Sequence, residues 1–140
     1  MNLRDRVQQK MAECRPYYER VLELRPLVAQ PDADWVVWSA LERNLQLALE
    51  CAIDLGELVI SWKRLERPEE NRQVFLILAR EGLIDVGLGE RLARAAGLRN
   101  LLVHQYGQLD RARVREMLSK DFKDIEVFAQ TVAKLVEAEG

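Results

Sequence analysis

The 140-residue chain contains only two cysteines, one histidine, seven glycines and four prolines, and its aromatic side chains amount to 6%. Cys14 and Cys51 lie within apolar helical patterns, lack any short metal-ligand spacing, and are too few to build a disulfide framework for a domain of this size. They are expected to be buried thiols in a reducing compartment. Scarce glycine and proline, with no low-complexity stretch, exclude a collagenous or disordered chain. Long apolar runs are missing as well. The richest stretch, Leu45 to Trp62, is broken by Glu50, Asp54 and Glu57, and the start MNLRDRVQQK carries charges where a signal peptide needs an apolar run. No membrane span or export signal is expected, which points to the cytoplasm. Nor does one sign of charge dominate. The 21 lysines and arginines against 23 acidic residues give a formal charge of −2, which excludes a protein that coats nucleic acid non-specifically.

What is present is apolar and helical. Hydrophobic residues make up 49% and charged residues 31% of a chain long enough for one apolar core and too short for two, so residues 1–140 are read as a single domain. Leu3, Val7, Met11, Cys14, Tyr18, Val21 and Val28 form one helical stripe, which Pro16 is expected to kink or divide near Arg15, before a break at Gln30-Pro31. Asp32 or Asp34 can cap the next helix. Its ladder runs Trp38, Leu41, Leu45, Ala48, Ala52, Leu55, Val59 and Trp62 in steps of three and four, with Arg43, Gln46, Glu50, Asp54, Glu57 and Arg64 on the other side. Leu47, Leu49, Ile53 and Ile60 broaden this stripe beyond one contact face, as suits a helix that also packs on a second copy of the chain. Pro68 is expected to stop it. A shorter helix follows through Phe75 to Arg80, ended by Gly82. The fourth helix is predicted from near Leu88 to about Gln105, followed by a turn over Gly107–Asp110 with Asp110 as the next cap. Val114, Leu118, Phe122, Ile125, Ala129, Val132 and Val136 then continue at helical spacing. The expected architecture is all-α, an up-and-down bundle of four to five helices, and dimeric.

The only histidine falls in Gly97-Leu98-Arg99-Asn100-Leu101-Leu102-Val103-His104-Gln105-Tyr106. Four residues separate Asn100 from His104 and seven separate Arg99 from Tyr106, so two short polar rows stand side by side on a helix. Leu98, Leu101 and Leu102 are expected to face the bundle. Cleavage of RNA at the ribose 2′-hydroxyl needs a proton acceptor, a cation for the developing phosphorane charge and donors for the phosphate. Histidine titrates near neutrality and suits the first task, while the permanently charged, forked guanidinium of Arg99 suits the second. Asn100 can orient His104 or donate to the phosphate, and Tyr106 can donate a hydrogen bond or stack on a base. No carboxylates and histidines cluster here at ligand spacing, so no metal or other cofactor is expected. Taken by itself, a lone histidine near a helix end is more often a capping residue. From Leu88 to Lys123 eight cations face four carboxylates, a surplus of four, so any RNA contact should be local to that third. Arg94, Arg111 and Arg113 are candidate contacts to an RNA backbone; the Arg111-Arg113-Arg115 run reads equally as a solvated helix face beside Asp110 and Glu116.

RNLLVHQY closely resembles the signature of the HepT-like branch of the HEPN domains: an arginine, a polar residue, three more residues, then histidine-x-tyrosine. All four key positions match, at Arg99, Asn100, His104 and Tyr106. ALERNLQLALECAIDLGELVIS resembles the family's long second helix, and Glu69 to Gly82 its short third. The resemblance implies a helical bundle that dimerises and brings two motif copies to one cleft. It implies the toxin of a type II toxin–antitoxin pair, a metal-independent ribonuclease acting on transfer or messenger RNA. Its catalytic residues would be Arg99 and His104, supported by Asn100 and Tyr106. It also implies a minimal nucleotidyltransferase antitoxin that silences the toxin by attaching AMP to Tyr106, where a bulky anion would fill the cleft and neutralise Arg99. HEPN domains include non-catalytic members, so a binding module that docks a nucleotidyltransferase or a nucleotide is the alternative.

Overall fold

The computed structural model describes residues 2–104 and 111–139, apart from the side chains of Leu101, Val103 and His104. Among the described residues six helices follow one another: α1 Leu3–Val28, α2 Trp35–Lys63, α3 Asn71–Arg80, α4 Val86–His104, α5 Arg111–Lys120 and α6 Lys123–Ala138. Among the described residues there is no strand. The all-helical bundle expected from the sequence is borne out, with six helices where four to five were expected.

The extra helix comes from the last third. Its apolar spacing reads as one element, but α5 ends at Lys120 and α6 starts at Lys123. At this corner the N–H groups of Asp121 and Phe122 both donate to the Met117 carbonyl (2.9 and 3.0 Å). Phe122 is thereby turned inward to stack on Tyr18 of α1, ring centroids 4.6 Å apart. Asp124, the one buried charged residue among the described ones, receives Nε and Nη2 of Arg91 at 2.8 and 3.3 Å. A buried carboxylate without such a partner would be strongly destabilising.

Helix α1 is continuous through Pro16, neither divided nor broken near Arg15. Pro16 lies on the exposed side, where water can take the carbonyl it leaves without a partner. Meanwhile Val7, Val21 and Val28 are buried along the opposite side and hold the rod against α2. Asp34 caps α2, its Oδ1 accepting from the Val37 N–H at 3.0 Å. The helix ends at Lys63, ahead of Pro68, because Arg64 adopts the left-handed conformation (φ 53°) and Leu65 N–H reaches back to the Ile60 carbonyl at 3.0 Å. Gly82, with φ 74°, occupies the corresponding left-handed position after α3 and is suited to it by having no Cβ.

Helix α2 is the central element, packed against α1, α3, α4 and α6. Its ladder from Trp38 to Val59 is buried as expected. The broadening residues have a different explanation from the one expected. Leu49, Ile53 and Ile60 are buried within the chain itself, because α2 is surrounded by four helices of its own protein, so they give no argument for a second copy, while Leu47 is half-buried. Gly56 lets α3 and α6 approach closely, since a Cβ there would intrude on Val74 and touch Leu78 and Phe128. No described helix is long and apolar enough to cross a membrane.

Candidate active site

Helix α4 carries Arg99 and Asn100 and ends at His104. Its start is fixed by Asp85, whose Oδ2 accepts from the Leu88 N–H at 3.1 Å. Its inner face buries Leu88, Leu92, Ala95, Ala96 and Leu98, and Leu102 packs against the same core. That burial sets the rotation of the helix and thereby the direction of Arg99.

Arg99 is partly exposed (25% of its side chain) and meets Glu50 of α2. One carboxylate oxygen, Glu50 Oε1, accepts from Arg99 Nη2 at 2.9 Å and Nε at 3.1 Å, and also from Gln46 Nε2 at 3.1 Å. Arg99 Nη1 donates to Asn100 Oδ1 at 3.3 Å. A guanidinium has five N–H groups. Two serve Glu50 and one serves Asn100, so two remain uncommitted among the described residues, one on each terminal nitrogen. Such a pair matches two oxygens of a phosphate. Asn100 is exposed and lines, with Gly97 and the start of α3 (Glu69 to Arg72), an open cavity of about 480 Å³.

His104 is the last residue of α4, but its side chain and the whole of Tyr106 lie outside the described residues, as do the Gly107–Asp110 turn and the Asp110 cap. The structure therefore joins Arg99 and Asn100 directly and places the His104 backbone just over one helical turn beyond them. Arg94 is exposed on α4, five residues before Arg99 and about 140° around the helix from it, so these two do not converge.

Glu50 and Gln46 were missed in the sequence, where both counted only as the polar side of α2. The signal was weak: a glutamine four residues before a glutamate on a helix, with the glutamate's arginine partner 49 residues further on.

The Arg111–Arg115 run is neither a uniform RNA track nor a uniform solvated face. Arg115 turns inward, its Nε donating to the Val28 carbonyl at 2.9 Å, and its guanidinium lies 5.1 Å from the centre of the buried Trp38 ring. Arg111 also covers that ring, at 4.8 Å, yet is exposed. It faces Glu42, whose carboxyl is raised above its usual range by burial and partly drawn back by the Arg111 charge. Arg113 is exposed. Among the described residues no three histidine, cysteine or acidic side chains gather as metal ligands.

A profile of the family described as Ribonuclease HepT-like matches residues 16–132. The chain belongs to the HepT-like family. This HepT-like chain is 26% identical over 130 residues to the mRNA nuclease HepT of Shewanella oneidensis, covering 93% of this chain and 98% of that protein. It is 33% identical over 69 residues to the tRNA nuclease HepT of Aphanizomenon flos-aquae, covering 49% of this chain and 47% of that one. Among solved structures it resembles a tri-AMPylated HEPN toxin of Shewanella oneidensis in complex with an MNT antitoxin, with a TM-score of 0.83, 27% identity, and coverage of 94% and 98% of the two chains. The family resemblance carried by RNLLVHQY is thereby borne out.

Proposed function

We propose that this HepT-like chain is the toxin of a toxin–antitoxin pair, a ribonuclease that cleaves RNA without a metal ion. The observation that carries the reading is the posture of Arg99: an arginine fastened along its inner edge by Glu50, its other donors directed to a partly exposed surface beside Asn100. A positively charged fork held that way costs little reorganisation when phosphorane charge develops. His104 takes the 2′-hydroxyl proton, Arg99 and Asn100 hold the phosphate, and attack by the 2′-oxygen expels the 5′-oxygen, which takes a proton from water as a 5′-hydroxyl end and leaves a cyclic phosphate, His104 returning its own proton to solvent. Arg94, Arg111 and Arg113 contact the RNA backbone outside the reacting phosphate. Two copies of the chain pair so that both motifs line one cleft, raising a local positive potential that a chain of net charge −2 lacks.

In this reading a minimal nucleotidyltransferase antitoxin, the kind of partner seen with the Shewanella toxin, silences the protein by attaching AMP to Tyr106 in the cytoplasm. The test is cleavage of RNA in the presence of a chelator. Native protein is expected to cut and to leave 2′,3′-cyclic ends, and His104→Ala or Arg99→Ala to lose about two orders of magnitude or more while keeping the helical melt. Unchanged cleavage by either folded variant would remove that residue from the mechanism.

A further inference from the structure

On the opposite flank of α2 from α4, a cavity of about 390 Å³ opens between α1, α2 and α6. Its wall is apolar, with Met11, Leu22, Ala48, Ala52, Leu55 and Ile125, while Arg15, Glu19, Glu126 and Gln130 stand at its polar edge. Both cysteines of the protein open into it: Cys14 from α1, half-buried, and Cys51 from α2, buried. Thirty-seven residues apart in the chain, the two cysteines line the same cavity from neighbouring helices, each about one turn from the Lys10–Asp54 pair (3.4 Å) that joins α1 to α2. Nothing in the RNA chemistry above uses them.

We propose that Cys14 and Cys51 are a reversible dithiol–disulfide site, oxidised by small disulfide compounds that enter through this cavity. One cysteine sulfur attacks the incoming disulfide, forming a mixed disulfide and expelling the first small thiolate. The second cysteine sulfur then attacks the mixed disulfide and expels the other. The two protein S–H bonds and one small S–S bond become one protein S–S bond and two small S–H bonds, so electrons and protons balance.

Three features favour closure. The partner thiol lines the same cavity from the neighbouring helix, so the second step is intramolecular. The neighbouring Cys14 thiol holds Cys51 below its ordinary range, while Cys51 and burial push Cys14 up, so the first proton leaves more readily than the second. Lys10 favours the thiolate at both, although it is itself paired with Glu13 (3.1 Å) and Asp54 (3.4 Å), whose charges oppose it at Cys51. The bond would tie α1 to the turn of α2 that begins at Glu50, the residue holding Arg99. It closes a long loop and so restricts the unfolded chain more than the folded one.

The experiment treats the full-length protein with glutathione disulfide under native conditions, followed by intact mass, peptide mapping and thermal melting. The expected result is loss of two hydrogens, a Cys14–Cys51 linked peptide, a melt raised by several degrees, and full reversal by dithiothreitol. Cys14→Ser is expected to stop at a mass gain of one glutathione, held on Cys51. A native protein that keeps glutathione on either cysteine, that links two chains together, or that reacts only once unfolded would overturn the proposal. RNA cleavage plays no part in this readout, so the site stands or falls independently of the nuclease reading.

Discussion

Glu50 fastens Arg99 by two nitrogens to a single oxygen, while Gln46 steadies that same oxygen from one turn earlier on α2. The arrangement fixes a cation by its inner edge. Glu50→Gln keeps the shape but removes the charge, so the guanidinium is less firmly aimed. RNA cleavage is expected to fall about tenfold to a hundredfold, and stability by about 1–2 kcal/mol, for the loss of charge-assisted bonds in a partly exposed pair. Single-turnover cleavage with a parallel melt checks this. Faster cleavage in Glu50→Gln would mean that the carboxylate restrains Arg99 instead of aiming it.

Arg111 and Arg115 share the Trp38 ring but divide the work. Arg115→Ala removes the bond to the Val28 carbonyl and uncovers a buried indole, and is expected to cost about 1–3 kcal/mol with little change in RNA affinity. Arg111→Ala is expected to weaken RNA binding and to lower the slope of log affinity against log salt by about one, as for loss of one phosphate contact. Denaturant melts and binding across a salt series separate the two.

Gly56 and Gly97 give opposite answers to the same substitution. Gly56→Ala thrusts a methyl group into Val74 and the α3–α6 packing and is expected to destabilise by about 1–3 kcal/mol. A Cβ at Gly97 meets no atom within 4 Å, so Gly97→Ala should stabilise α4 by about 0.5–1 kcal/mol. Thermal melts of the pair would test it, and equal shifts of the same sign would contradict it.

Tyr18 supplies an alkaline signature. Burial, together with the hydrogen bond to Glu126 (3.1 Å) and the nearby carboxylate charge, pushes its hydroxyl up to about 12 from the ordinary value of 10. Below pH 10 the phenol is protonated in folded and unfolded chains alike. Between 10 and 12 the folded protein retains a proton that the unfolded chain releases, so this group makes stability fall as pH rises through that window. Tyr18→Phe should flatten that part of the decline and remove a step near pH 12 from the tyrosinate absorbance titration.

The elements legible in the sequence were those whose physics is local. The α2 ladder, the Asp34 cap, the Gly82 turn and the placement of Arg99 and Asn100 on one helix each depend on spacings of a few residues. What escaped depends on partners far along the chain. The corner at Asp121–Phe122 exists because Phe122 has Tyr18 to stack on, and the role of Glu50 appears only once α4 lies beside α2. Leu49, Ile53 and Ile60 misled for the same reason, since a sequence does not say how many neighbours a helix will have. Pro16 was overrated because its cost depends on whether the orphaned carbonyl sees water.

That proline leaves a lasting mark on α1. The backbone of a helix is a rail of repeated rungs, and one rung is missing where Pro16 has no hydrogen to offer Ala12; Pro26 omits another opposite Leu22. The rod is thus scored at two points along its wet side while remaining one rod. Of the ladder of α1, the amides on either side of those two gaps are therefore expected to take up deuterium sooner than those of the unbroken α2.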